Sequence, residues 1–370
     1  MEKLRVLIFH PALAPYRVDF YNGLARHFDL KVLFQAENLT SQQFDQSKMA
    51  EWARFDHGIM QRSHVSAKRK ISIGYARHIR AFRPDIVIGS EYGTNLLIPY
   101  FIRPFFRKKY RLWTMSDDSV DVAERTSGVR SFLRRFFAPR LDGIVFCNDI
   151  VRDWMKDRLA LRNSAVIPII ADEHVLRARL RSVLDGVSAL QERFPLAGRR
   201  MVLFVGRLNP VKNLHLLLEA FAQLPPEDVL VLVGSGVEEP SLRDHAGRLG
   251  IGDRVCFAGR FEAPELYLWY QLADVFVLPS KFEPFGAVTG EALQAGCPVV
   301  CSDIAGSACL IRPGVNGEIV DHASAASVAD GIARVLDRTL PHDIHALRPS
   351  LMDGTLEDYL QQFKEVLDEK

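Results

Sequence analysis

The stretch Arg199–Leu224, RRMVLFVGRLNPVKNLHLLLEAFAQL, decides how the rest of the chain is read. Five consecutive apolar residues, Met201 to Val205, form a strand of the fully buried kind, because no polar alternation leaves a face for solvent. A glycine and a polar loop containing a proline follow. Leu214, Leu217, Leu218 and Phe221 then recur at helical spacing, which predicts one helix with one apolar face. The same alternation continues downstream through DVLVLVGSG, EPSLRDHAGRLG, RVCFAG, APELYLWYQLA, DVFVLPS, a helix reaching Ala295, PVVCSD, GEIV and ASVADGIARVL. Repeated strand–helix units of this kind build a parallel sheet covered on both faces.

Upstream, the pattern has already run once. LRVLIFH is a strand, Val18, Tyr21, Leu24, Ala25 and Phe28 mark a helix, and LKVLFQ is a second strand. PDIVIGS, YRLWTMS, DGIVFCN and SAVIPII add further strands. The expected fold class is therefore α/β, with two Rossmann-like domains facing across a cleft. Residues 1–180 form the first domain and 190–345 the second. The join is placed at 172–198, where strand character is lost. Residues 355–370, ending in TLEDYLQQFKEVLDEK, read as a closing helix expected to pack back on the amino-terminal domain.

The totals agree with this reading. A chain of 370 residues suits two domains, and 48% apolar with 25% charged residues describes a folded protein rather than a disordered one. The five cysteines (Cys147, Cys256, Cys297, Cys301, Cys309) are unevenly spaced. Cys297 and Cys301 could be half of a metal site, but no second pair completes it. Free thiols point to a reducing, cytoplasmic setting. The chain opens directly on a strand, so no signal peptide is expected. Apolar runs stop short of the ~20 residues a membrane span needs. The net charge of +2 hides a division: residues 1–190 carry 31 Lys and Arg against 20 Asp and Glu, and the remainder 16 against 25. The first half is thus expected to face something anionic.

Candidate chemistry lies in strand-to-helix loops, where ligands of such sheets bind. Arg207 and Lys212 leave the Met201–Val205 strand just before a helix N-terminus, a combination that attracts anions, although a solvated basic loop has the same composition. Gly234 and Gly236 follow the next strand; they do not complete GxGxxG and could be a tight turn. Gly259 and Arg260 close RVCFAGR, where backbone groups could meet a planar base. In SKFEPFGAVTGEALQAGCPVV (Ser280–Val300), Glu283 stands beside Pro284 and Glu291 lies within a helix. Gly286 would let the amides of Ala287 and Val288 approach a diphosphate held by Arg207 and Lys212. A carboxylate beside a diphosphate must bond hydroxyls instead, and a nucleotide-sugar has hydroxyls at both ends. If a helix ran throughout, the two glutamates would differ by ~80° and ~12 Å. Two surface glutamates on an amphipathic helix are the plain alternative.

Taken together, VGRLNPVKN, LVGSG, VCFAG, ADVFVLPSKFEPFGAVTGEALQAGCPVVCSD and GVNGEIV resemble the retaining glycosyltransferases of family 4, which have the GT-B fold. The likeness is close over residues 200–335, and HPALAPYRVDFYNGLA resembles one branch of that family. It implies that Glu283 contacts the donor sugar and Glu291 the ribose hydroxyls, that Arg207 and Lys212 clamp the diphosphate, and that Phe285, Gly286, Ala287 and Val288 hold phosphate and sugar through their amides. It further implies retention at the anomeric carbon, a UDP- rather than GDP-linked hexose-type donor, and a glycan or lipid-linked acceptor in cell-surface polysaccharide assembly. No metal or other cofactor is expected. SDDSVD (Ser116–Asp121) could suggest a DxD metal motif, but the cation clamp argues against it. Relatives often carry a histidine where this chain reads LWTMSDDS. Asp117 is a candidate for an acceptor or donor contact or equally a helix N-cap, and His10, at the end of the first strand, is a second cleft candidate.

FIRPFFRKKYR (Phe101–Arg111) and VRSFLRRFFAPR (Val129–Arg140) interleave aromatic and basic residues. Phe132, Phe136 and Phe137 are expected on one helical face with Arg130, Arg134 and Arg135 around it. That composition suits an anionic membrane surface or a core-packed helix with solvated arginines. No nucleic-acid module accompanies it. Two further functional classes stay open: a nucleotide-sugar epimerase of the same fold, and a non-catalytic nucleotide-sugar-binding protein.

Overall fold

The computed structural model describes residues 3–38, 46–66, 69–194, 196 and 198–368. The chain divides into two compact units, one of residues 1–169 with 356–370, the other of residues 170–355.

The first unit is built on a seven-stranded sheet. Its strands are β1 (Arg5–His10), β2 (Asp29–Phe34), β3 (Asp56–Ile59), β6 (Ile86–Ser90), β7 (Arg111–Ser116), β8 (Gly143–Phe146) and β9 (Ser164–Val166), with a separate antiparallel hairpin of β4 (Arg62–Ser66) and β5 (Arg69–Ser72). All seven pair in parallel, in the order β3-β2-β1-β6-β7-β8-β9. The chain moves outward from β1 to β3 and then returns to set β6 on the other side of β1. That reversal is a topological switch point, where the loops diverge and leave a crevice.

Helix Pro15–His27 covers this sheet and buries Val18, Tyr21 and Leu24, while Ala25 is only half-buried. Helix Leu356–Asp368 lies across it. A methyl group on Gly23 would come within 2.3 Å of Leu360 Cδ1, so glycine is what lets the two helices approach. Phe363 completes the contact, with its ring against Trp113 at 5.7 Å and Phe28 at 6.1 Å. Residues 369–370 of the closing segment lie outside the described residues.

The second unit repeats the plan with β10 (Met201–Val205), β11 (Val229–Val233), β12 (Val255–Gly259), β13 (Val275–Leu278), β14 (Val299–Ser302) and β15 (Gly317–Val320). All pair in parallel, in the order β12-β11-β10-β13-β14-β15. Every residue of β10 and β11 is buried, as expected for strands with helices on both faces. Leu214, Leu217, Leu218 and Phe221 are buried together on helix Leu214–Phe221, which packs on helix Ala325–Arg338. Here the switch point lies between β10 and β13.

The division between units falls before residue 170, earlier than the sequence pattern placed it. Residues 172–198 are no linker. They hold helices Glu173–Val183 and Val187–Arg193. Arg177 donates to the carbonyls of Gln294 and Arg348, each at 2.9 Å, and Gln294 donates to Ala171 O at 2.8 Å. These bonds attach the first helix to the second unit. Absence of strand character marked the right region but not its allegiance.

Candidate active site

In the second unit, the loops leaving β10, β13 and β14 converge at the switch point. Lys212 ends a short 3-10 turn, Pro210–Lys212, after which Asn213 adopts a left-handed conformation with φ 59°. The Asn213 amide donates to Pro279 O at 3.2 Å and to His322 O at 2.8 Å. Lys281 N in turn donates to Val211 O at 2.9 Å. These bonds fix the Lys212 loop against the β13 exit loop, and the Lys212 ammonium meets the Glu283 carboxylate in an ion pair. Both side chains are almost enclosed, at 14% and 12% exposure. Ser280 Oγ also donates to Glu283, at 3.4 Å. Arg207 is exposed and makes no ion pair among the described residues.

Glu283 precedes the helix rather than belonging to it. Helix Ala287–Gln294 starts after Gly286, so helical spacing does not relate Glu283 to Glu291. Gly286 has φ +98°, and a methyl there would meet Leu278 at 2.7 Å and Ser307 Oγ at 2.9 Å. The backbone around it is tied down. Gly306 N donates to Glu283 O at 3.2 Å, and Ser307 N to Phe285 O at 2.8 Å. The Phe285 side chain is buried beneath this turn. Ala287 and Val288 supply the first amides of the helix, which have no partner within it. Half-buried Glu291 accepts a hydrogen bond from the buried Tyr270 hydroxyl at 3.1 Å.

Gly234 and Gly236, candidates for donor contact or a tight turn, also meet a packing demand. A methyl on Gly234 would sit 1.8 Å from Gly206 O, and one on Gly236 2.1 Å from Leu208 O. Two loop backbones touch there. Gly259 has φ +81° with open space beside it, and its carbonyl accepts from Gly234 N at 2.8 Å. Arg260 is exposed and paired with Glu262. Cys297 and Cys301 are buried thiols, with burial the main cause pushing each up to about 12. Among the described residues, Asp303, Asp321 and His322 are close enough together to hold a cation, but His322 Nδ1 already lies 2.8 Å from the Asp303 carboxylate.

The first unit has its own pocket at its switch point, with a volume of about 310 Å³. His10 and Asp117 line it, together with Gln35, Glu91, Thr94 and Asn95. Asp117 is not an N-cap: Ser119 caps the next helix, accepting from Val122 N at 3.4 Å. Asp117 instead pairs with the buried Arg17. Burial pushes the Asp117 carboxyl up, but the Arg17 guanidinium outweighs it and holds the group below its ordinary range. His10 is lowered to about 4, by burial first and by Arg17 second, so its imidazole is neutral at pH 7. Its Nδ1 lies 3.0 Å from Ala12 O.

Arg17 and Glu91 escaped the sequence reading. The available signal for Arg17 was a charge four residues before Tyr21, on the apolar stripe of its helix. Glu91 directly follows β6 and has φ +52°, which no motif announces. Its carboxyl is raised, chiefly by burial, while Arg130 opposes the shift at 2.9 Å.

A family model described as "Glycosyl transferases group 1" matches residues 190–346. A D-inositol 3-phosphate glycosyltransferase of Mycolicibacterium smegmatis is 40% identical over 144 residues, which are 38% of this chain and 33% of that protein. The Xylanimonas cellulosilytica protein of the same name is 32% identical over 193 residues, 51% of this chain and 46% of that one. The chain thus spans between a third and a half of the length of these relatives. Among solved structures, Anabaena Alr3699/HepE in complex with UDP superposes with a TM-score of 0.75 at 19% identity, over 99% of this chain and 100% of that one.

Proposed function

We propose that the protein is a retaining glycosyltransferase using a UDP-linked hexose: its fold is GT-B, and residues 190–346 match the glycosyl transferases group 1 model. The observation that carries this reading is the Lys212–Glu283 ion pair at the β10/β13 switch point, beside the first amides of helix Ala287–Gln294. An ammonium and a helix N-terminus suit a diphosphate. A carboxylate at the same place suits the hydroxyls of the sugar attached to it. The Anabaena neighbour is described with UDP bound, which supports this donor class, and the curated relatives are named glycosyltransferases, which supports the reaction class.

In the proposed reaction, the bond between the anomeric carbon and the UDP oxygen breaks while a bond to the acceptor hydroxyl forms on the same face. Negative charge grows on the departing phosphate. Lys212, Arg207 and the amides of Ala287 and Val288 would counter that charge and lower the barrier. The acceptor proton passes to a phosphate oxygen of the leaving UDP. Glu283 orients the sugar hydroxyls, and Glu291 holds the ribose. The first unit, through the pocket holding His10, Asp117 and Glu91, receives the acceptor.

A thermal-shift panel of UDP, GDP and ADP, with and without magnesium, tests the donor site. A metal-independent shift with UDP is the expected result. Incubation with labelled UDP-hexoses and candidate acceptors then separates the outcomes: a new glycoside supports transfer, free UDP with an epimerised sugar identifies an epimerase, and binding without turnover refutes catalysis.

A further inference from the structure

We propose that the aromatic, basic face formed by residues 101–109 and helix Gly128–Phe137 of the first unit docks on the surface of an anionic lipid bilayer. Sequence composition alone put Phe132, Phe136 and Phe137 on one helical face with arginines around it, whether at a membrane or in the core. The structure divides them. Phe137 and Arg134 are buried, whereas Phe132 and Phe136 are exposed at 64% and 41%. Arg134 donates to Asp118 at 2.7 Å and to Ala123 O at 3.0 Å, and Arg130 reaches Glu91 and Asp118. Residues 130 and 134 share one side of the helix, and residues 132 and 136 lie about 200° away. One side of the helix is therefore anchored inward by arginine, and the other presents phenylalanine to solvent.

The presented side continues onto a neighbouring element. Phe132 stacks on Phe136 at 6.0 Å, Phe136 meets Phe137 at 5.0 Å, and Phe137 meets Phe101 at 6.0 Å. Phe101 and Phe105 are themselves 61% and 85% exposed. The linked rings of Phe101, Phe132 and Phe136 offer roughly 300 Å² of aromatic surface, within the range of the largest patch of an ordinary monomer, and Phe105 adds a further exposed ring.

Charge selects the partner. The segments 101–111 and 128–140 contain nine Lys and Arg residues and no Asp or Glu, although Arg103, Lys108, Arg130 and Arg134 are paired with Asp142, Asp85, Glu91 and Asp118 from elsewhere in the unit. Arg107 and Arg135 are exposed and make no ion pair among the described residues. Cations around solvent-facing phenylalanines match the boundary between anionic headgroups and acyl chains. A purely polyanionic partner would leave the rings without use. The inward side of the same helix touches the pocket through Arg130 and Glu91. Docking would therefore place that pocket about one helix diameter, ~10 Å, from the headgroups, within reach of an acceptor carried by the membrane.

The test is co-sedimentation of the full chain with sucrose-loaded vesicles of phosphatidylcholine containing 30% phosphatidylglycerol, and of phosphatidylcholine alone. The expected result is binding to the anionic vesicles that weakens at high salt. Arg107→Gln with Arg135→Gln should reduce that binding roughly 25-fold, at about fivefold per charge. Phe132→Ser with Phe136→Ser should reduce it at least tenfold while UDP-induced thermal shifts stay unchanged. Equal binding to both vesicle types, or variants that bind like the wild type, would overturn the proposal. So would light scattering that shows a dimer dissociated by the phenylalanine changes, because a second copy would then be the partner. The readout needs no sugar transfer, so its failure is distinct from failure of the glycosyltransferase reading.

Discussion

Replacing Glu283 by glutamine should tighten UDP binding while abolishing most turnover. In the structure the Lys212 ammonium is engaged by the Glu283 carboxylate, and both are nearly shielded from water. A phosphate oxygen bonded to that same tetrahedral ammonium would sit about 5 Å from the carboxylate, because two such bonds diverge by roughly 110°. At an effective dielectric near 20, two like charges at this distance repel by about 3 kcal/mol. The Lys212 ammonium between the two charges offsets part of this and leaves about 1–2 kcal/mol. Neutral glutamine keeps the shape and removes the repulsion, so the Kd for UDP should fall about 5- to 30-fold. The sugar hydroxyls lose a charged acceptor, and kcat should fall at least 100-fold, about 2.7 kcal/mol. Calorimetric titration with UDP and a turnover assay with the donor sugar supply the two numbers. UDP binding weakened more than threefold would refute the reasoning, because Glu283 would then be a favourable contact of the nucleotide itself.

Glu291→Ala should weaken UDP binding about tenfold in the same titration. Comparable UDP losses at Glu283 and Glu291 would undo the division of labour between them. Gly286→Ala should lower folding stability by about 2–4 kcal/mol, read from a urea midpoint, because φ +98° strains any side chain and its methyl meets Leu278 and Ser307. His10 adds a pH dependence. Its folded value of about 4 lies below the ordinary imidazole value of about 6.5, so the unfolded chain binds the extra proton first. The neutral imidazole contributes fully above about pH 6.5, and its contribution falls away as pH drops toward 4, by up to about 3 kcal/mol. Comparing urea midpoints at pH 7.5 and 5.0 should show this loss in the wild type and a flatter response in His10→Gln. Identical slopes would exclude His10 as the source.

The second unit's candidate site could be assembled from sequence because its residues sit in continuous loops. Arg207 with Lys212, and Glu283 with Gly286, occupy two short segments that the β10/β13 reversal brings together. Pairing between Glu291 and Tyr270 was not legible, because Tyr270 looked like one more apolar position on a buried helix. The first unit's pocket was harder still. Gln35, Glu91 and Asp117 come from three different strand ends, and only the strand order makes them neighbours. Arg134 illustrates the remaining gap. Alternating arginine and phenylalanine gave an amphipathic helix correctly, but which arginines faced inward depended on Asp118, sixteen residues earlier. Periodicity assigns residues to faces, while the partner decides which face is interior.

Helix Leu356–Asp368 has a consequence for how the protein is made. The surface it covers, around Gly23, Phe28 and Trp113, belongs to the part of the chain synthesised first, yet 186 residues of the second unit separate the two in sequence. At about 5–20 residues per second, a ribosome needs roughly 10–40 s to translate that interval. Throughout it the first unit stands with an apolar groove open, while the second unit, continuous in sequence, emerges with every strand of its sheet. The second unit can finish folding before the first is sealed. That interval is when a chaperone has most to shield, and when a nascent chain arrested before residue 356 would be most readily cleaved within its first 169 residues.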